Sequence, residues 1–105
     1  MEFIETRIFT QAIVGLITEE ELARLQLALF MKPDAGKLIP GTGGLRKLRW
    51  VSGSKGKRGG VRVIYYWYVP REQIYLLLAY KKSVQDDLTK NQLKILAKLV
   101  REETK

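Results

Sequence analysis

The chain has 105 residues, 46% of them hydrophobic, enough for one buried core and too few for two, so residues 1–105 read as a single domain. It contains no cysteine and no histidine, which excludes a disulfide framework, thiolate metal sites and the usual metal ligand and proton shuttle, and leaves Lys, Arg, Tyr and carboxylates for any catalysis. Its net charge of +8 is concentrated: from Ala35 through Arg71 there are nine basic residues (Lys37, Arg46, Lys47, Arg49, Lys55, Lys57, Arg58, Arg62 and Arg71) and no acid, while the remainder carries ten basic and eleven acidic side chains. Charge of one sign held on a small domain points to a polyanionic partner, most often phosphate.

Phe3 to Ile8 has the β-branched and aromatic character of a first strand, and a short helix is expected from Thr10 to Leu16. Thr18-Glu-Glu-Glu21 is a capping box, so a second helix starts there, carries Leu22, Leu25, Ala28 and Leu29 as its apolar stripe, and is stopped by Pro33. Asp34 to Gly44, rich in Pro and Gly, reads as a loop of about a dozen residues, a length that calls for a functional reason. Three strands follow at Leu45 to Val51, Val61 to Val69 and Gln73 to Tyr80, joined by a glycine-rich basic loop and a Pro-Arg-Glu turn, as an antiparallel meander. Thr89 with Gln92 forms a second capping box and opens a last helix through Leu93, Leu96, Leu99 and Val100. The expected fold is α+β in the order β-α-α-β-β-β-α: a small antiparallel sheet with helices packed on one face and the other face open to solvent and ligand.

Alternation along the strands divides the basic block. Leu48 and Trp50 suit the core, which sends Lys47 and Arg49 to the open face, and Arg62 joins them from the next strand. In the last strand Ile74, Leu76, Leu78 and Tyr80 oppose Tyr75, Leu77, Ala79 and Lys81, and because both sets are apolar the faces stay unassigned. Lys81 or Lys82 emerges at its end. The expected surface therefore carries Lys47, Arg49 and Arg62, with the Lys55–Arg58 loop over its rim and aromatic rings nearby, an arrangement that fits an RNA backbone with bases stacked on aromatics.

Competing readings accompany each feature. A basic glycine-rich hairpin loop is also what a solvated turn looks like. Tyr65 and Trp67 alternate with valines and read as core. The Asp86-Asp87 pair precedes a helix and reads as charge stabilisation of its N-terminus. Gly41-Thr-Gly-Gly44 lacks the lysine-serine ending and the spacing of nucleotide-binding loops. The N-terminal residues do not read as a signal peptide and no apolar run is long enough for a bilayer, so a soluble, cytoplasmic protein is expected, with no membrane contact.

The stretch Gly41-Thr-Gly-Gly-Leu-Arg-Lys-Leu-Arg49, the loop Lys55-Gly-Lys-Arg-Gly-Gly60, Arg62-Val-Ile-Tyr-Tyr66 and the later Lys-Lys-Ser-Val-Gln-Asp-Asp-Leu-Thr segment together resemble the RelE/HigB-type toxins of bacterial toxin–antitoxin modules, and within them the HigB branch. The resemblance implies a microbial-ribonuclease-like fold and a ribosome-dependent mRNA endonuclease that enters the A site and inhibits translation. Its implied chemistry is attack of a ribose 2′-hydroxyl on its own 3′-phosphate, with no cofactor and no metal. On that resemblance Arg62 is the ligand of the scissile phosphate, Lys47 the base where a neighbouring cation lowers its pKa, Arg49 a phosphate ligand, and Lys82 (or Lys81) a second phosphate-binding position. Arg46, Lys55, Lys57, Arg58, Lys81, Tyr66 and Tyr68 are the implied contacts with mRNA and ribosome. Some relatives carry a catalytic tyrosine where this chain has Leu88, and Tyr66, Tyr68 or Tyr80 is available in its place. The implied partners are a helix-turn-helix-type antitoxin, operator DNA reached through it, and the ribosome; the toxin is expected to be a monomer when free. A non-nucleolytic protein on the same fold, such as a gyrase inhibitor or an inactive nucleic-acid-binding protein, is the alternative.

Overall fold

The computed structural model describes residues 1–51 and 60–105. Its elements are β1 (Glu2–Glu5), α1 (Arg7–Ile13), α2 (Glu19–Met31), β2 (Lys37–Leu38), β3 (Leu45–Trp50), β4 (Val61–Tyr68), a 3-10 turn at Val69–Arg71, β5 (Gln73–Lys81) and α3 (Lys90–Glu103). The five strands form one mixed sheet in the order β1-β5-β4-β3-β2, with β1 parallel to β5 and every other pair antiparallel. The α+β class and the succession of main elements match the sequence expectation. The parallel edge strand does not, because alternation fixes which face a side chain takes but not which way a strand runs.

Local chemistry sets the helix boundaries. The Thr6 hydroxyl accepts from the Phe9 amide at 3.0 Å, so α1 starts at Arg7 and the first strand ends at Glu5, earlier than the apolar pattern through Ile8 implied. At α2 the Glu21 amide donates to the Thr18 hydroxyl (3.1 Å) while the Thr18 amide donates to the Glu21 carboxylate (3.0 Å). Thr89 and Gln92 repeat this reciprocal pair at α3 with 2.9 and 3.1 Å. Each satisfies amides that a helix start leaves without partners, and each is worth about 1 kcal/mol.

The predicted loop after α2 contains β2, tied down from two sides. The Tyr65 hydroxyl donates to the Pro33 carbonyl (2.6 Å) and accepts from the Gly36 amide (2.8 Å). Arg46 donates to the carbonyls of Asp34 and Gly36. A Cβ at Gly36 would stand 2.7 Å from the Tyr65 ring, so this crossing requires glycine. With the loop fixed there, Lys37 and Leu38 pair with Lys47 and Arg46 as a two-residue edge strand, too short for any periodicity to reveal.

The core has two parts, one on each side of the sheet. On the first face α1 and α2 bury Phe9, Ile13, Leu25 and Leu29 against Val63, Tyr65, Ile74 and Leu76, with Leu48, Trp50 and Trp67 packed at its margin. On the second face α3 buries Ala97 and Val100 against Leu45, Ile64, Tyr75 and Leu77. The expectation of helices on one face is therefore corrected: two helices cover the first face and the third covers part of the second. Ile64, Tyr75 and Leu77 demand this, since an apolar set on the second face cannot be left to water.

A β-bulge decides which residues share that second face. The β4–β5 register runs Arg62↔Tyr80, Val63↔Ala79, Ile64↔Leu78 and then shifts to Tyr65↔Leu76, leaving Leu77 as the extra residue. An inserted residue inverts the parity of everything beyond it. Ile74, Leu76 and Ala79 thus pack toward α1 and α2, while Leu77, Leu78 and Tyr80 all lie with the α3 cluster.

Candidate functional site

α3 covers the second face at the Tyr66, Tyr68 and Tyr75 end and leaves the other end uncovered. Along that uncovered part, cross-strand register sets Lys37 opposite Lys47 and Arg49 opposite Arg62, two like-charge pairs on one face. Directly opposed like charges destabilise a sheet, and two such pairs in succession make this part of the face attractive to an anion. Arg62 is the deepest of the four, only 7% exposed, whereas Arg49 and Lys37 are exposed.

Lys47 reaches across to the segment between β5 and α3, where its ammonium donates to the Asp87 carboxylate at 2.5 Å. The hydrogen bond and the charge of Lys47 hold the Asp87 carboxyl below its usual value, and the Arg62 charge lowers it further. Lys47 is thus paired with a carboxylate, while the Lys37 ammonium belongs to the residue opposite it in register. The Asp86-Asp87 expectation is corrected. Thr89 caps α3, its first turn holds no acid, and Asp87 serves the sheet face.

Lys37, Lys47, Ile64, Tyr80, Asp87 and Leu88 line a cleft of about 340 Å³. The Tyr80 hydroxyl is buried and makes no hydrogen bond among the described residues. Burial raises its pKa above the phenol value, the anion of Asp87 adds to this, and the Arg62 charge opposes it. A buried hydroxyl without a partner costs about 1 to 3 kcal/mol, which a ligand accepting its proton would recover. Of the three tyrosines available to replace the one missing at Leu88, Tyr80 is the one that lines the cleft, as does Leu88 itself. The bulge at Leu77 is what turns Tyr80 to this side.

The other expected site residues divide as follows. Tyr66 and Tyr68 stack on each other with ring centroids 6.3 Å apart, and the Tyr68 hydroxyl donates to the Thr104 carbonyl, so both belong to the packing under α3. Six residues of strand, roughly 20 Å, separate Tyr68 from Arg62. Arg46 lies on the opposite face and is engaged with the carbonyls of Asp34 and Gly36. Lys81 is in register with Val61, on the side of α1 and α2, and the exposed Lys82 does not line the cleft; its amide donates to the Gly60 carbonyl. Lys55, Lys57 and Arg58 lie outside the described residues. The structure thus brings together Lys47, Arg49 and Arg62, sets beside them Tyr80, one of the three tyrosines the sequence offered, and adds Lys37 and Asp87, which sequence reasoning had not assigned. Lys37 stood within the acid-free block, and that was the one signal available for it.

No helix among the described residues is long and apolar enough to cross a membrane. No family model matches the sequence. The structure is similar to that of a double arginine-to-alanine mutant of the E. coli toxin RelE in the free state, with a TM-score of 0.60 and 13% identity, over 81% of this chain and 86% of that one. The chain has a RelE-like fold.

Proposed function

We propose that the chain is the toxin of a toxin–antitoxin pair, in the HigB branch, and that it cleaves mRNA in the ribosomal A site. The observation that carries this reading is the pair of like-charge couples, Lys37/Lys47 and Arg49/Arg62, beside the Asp87 carboxylate and the Tyr80 hydroxyl, which makes no hydrogen bond among the described residues. Cations, a proton donor and a proton acceptor on one open face are the components that in-line attack by a 2′-hydroxyl requires.

In this reading the scissile phosphate lies over Arg62 and Arg49, whose guanidinium forks meet the charge that develops on phosphorus. The same phosphate draws Lys47 away from Asp87. Pairing with Lys47 is what holds the Asp87 carboxyl low, so its release restores basicity as the 2′-hydroxyl must be deprotonated. Tyr80, a phenol that burial keeps further in its neutral form, donates its proton to the departing 5′-oxygen. The 2′-oxygen–phosphorus bond forms, the phosphorus–5′-oxygen bond breaks, and a 2′,3′-cyclic phosphate remains. A helix-turn-helix antitoxin and the ribosome are the partners this function calls for, with operator DNA bound through the antitoxin.

Induction of the wild-type chain is expected to arrest growth and to leave new mRNA 5′ ends within translated frames, and Arg62→Ala is expected to do neither. Cleavage by Arg62→Ala at the wild-type rate contradicts the phosphate role. Intact mRNA together with stabilised gyrase–DNA breaks replaces the nuclease reading with the gyrase-inhibitor alternative.

A further inference from the structure

The uncovered part of the second face carries its side chains in two rows across the strands. Arg49, Arg62 and Tyr80 stand side by side on β3, β4 and β5, and two residues along, Lys37, Lys47 and Ile64 stand side by side on β2, β3 and β4. Two residues of strand set the rows about 7 Å apart, close to the interval between successive phosphates of an extended single strand. The proposed chemistry gives a step to Arg49, Arg62, Tyr80, Lys47 and Asp87, and none to Lys37.

Polar contacts, not burial, hold Lys37 where it is. β2 has only two residues and both are exposed. The Tyr65 hydroxyl fixes the Gly36 amide, Arg46 donates to the Gly36 carbonyl at 2.8 Å, and the next residue is Lys37. Its backbone is thereby set opposite Lys47, and among the described residues its ammonium forms no ion pair. A cation on a fixed backbone, without a counter-charge, is a preorganised contact for an anion. Its surroundings are apolar: Ile39, two residues on and therefore on the same face, joins Ile64 and Leu88 in lining the cleft.

We propose that Lys37 binds the 5′-phosphate of the nucleotide whose 2′-hydroxyl attacks, and that the base of this nucleotide packs on Ile39, Ile64 and Leu88. The assignment rests on the nuclease reading, and the placing of base and acid gives its direction. Asp87, which takes the 2′-proton, is bonded to Lys47 in the lysine row, whereas Tyr80, which protonates the departing 5′-oxygen, stands in the arginine row. The RNA strand thus enters over the lysines and leaves over the arginines. The nucleotide upstream of the cut fills the cleft of about 340 Å³.

The test on the full chain needs neither ribosome nor cleavage. Adenosine 3′-monophosphate and adenosine 3′,5′-bisphosphate are titrated by NMR, the 3′-phosphate set on the arginines in both. For the wild-type chain the added 5′-phosphate is expected to tighten binding about ten-fold. Lys37→Gln should lose most of that gain, while Lys32→Gln, the same change of charge at the end of α2, should keep it. Leu88→Asn should weaken both nucleotides several-fold without removing the gain, and amide shifts should include Lys37, Ile39 and Leu88. In mRNA cleavage on ribosomes Lys37→Gln should lower kcat/KM several-fold, mostly through KM. An undiminished gain in Lys37→Gln, an equal loss in Lys32→Gln, or no gain in the wild-type chain overturns the assignment, even where mRNA is cut normally. A Lys37-dependent gain in a chain that leaves mRNA intact contradicts the nuclease reading instead and keeps Lys37 as a phosphate ligand.

Discussion

The two ends of the second sheet face are supplied by the same strands, β4 and β5, and are built to opposite rules. At the Tyr66 end polar atoms are matched: the Tyr68 hydroxyl reaches Thr104, the Tyr75 hydroxyl reaches Gln73, and the rings lie under α3. At the Arg62 end arginine faces arginine, lysine faces lysine, and among the described residues the Tyr80 hydroxyl is buried without a hydrogen bond. Matched groups hold a fold together, while opposed like charges and an unmatched hydroxyl destabilise it slightly and gain when a ligand arrives. On the proposed function, stability belongs to one end and chemistry to the other.

Substitutions at the two ends should therefore separate effects on cleavage from effects on structure in a way that can be measured. The largest effect is expected from Arg62→Ala, a loss of roughly 100- to 1,000-fold in mRNA cleavage on purified ribosomes, with circular dichroism confirming the fold. Tyr80→Phe should lower cleavage by about 100-fold while leaving the melting temperature unchanged or slightly higher, because the hydroxyl it removes has no partner to lose. Tyr68→Phe should do the reverse. Its hydroxyl donates to the Thr104 carbonyl, so urea unfolding should show a loss of about 1 kcal/mol, with cleavage per folded molecule unchanged. A large stability loss in Tyr80→Phe, or none in Tyr68→Phe, breaks the comparison.

The smallest effect is on pH dependence. The Asp87 carboxyl is held below its ordinary value of 3.8, so its contribution to stability is complete above that value and is lost as pH falls through the lower folded value. Asp87→Asn should flatten the acid side of the stability curve below about pH 4 and leave stability at pH 7 nearly unchanged, since the ion pair is exposed. The same variant should cleave mRNA more slowly at neutral pH, where the proposed base is missing.

Much of this was legible in the chain and some was not, for identifiable reasons. Thr18 and Thr89 announce their helices because a capping box is a local event completed within three residues. Lys47 and Arg49 part from Leu48 and Trp50 because β3 alternates cleanly. β5 does not: its extra residue, Leu77, reverses the alternation partway, and so Tyr80 was grouped with Ile74 and Leu76 when it faces the other way. Asp87 meets Lys47 across 40 residues, and its sequence neighbours advertise only the start of a helix. Arg46 had the composition of a ligand contact, but its carbonyl partners emerge only once Tyr65 has fixed the loop.

The central claim is that the Arg62 end of the face performs phosphoryl transfer. Its most direct test is the cleavage of mRNA on purified ribosomes by the wild-type chain, Arg62→Ala and Tyr80→Phe, read by primer extension and by the chemistry of the new 3′ end. The account predicts cuts in the A-site codon ending in a 2′,3′-cyclic phosphate, severely slowed in both variants. Cuts with a 3′-hydroxyl end, or wild-type rates in both variants, would contradict it.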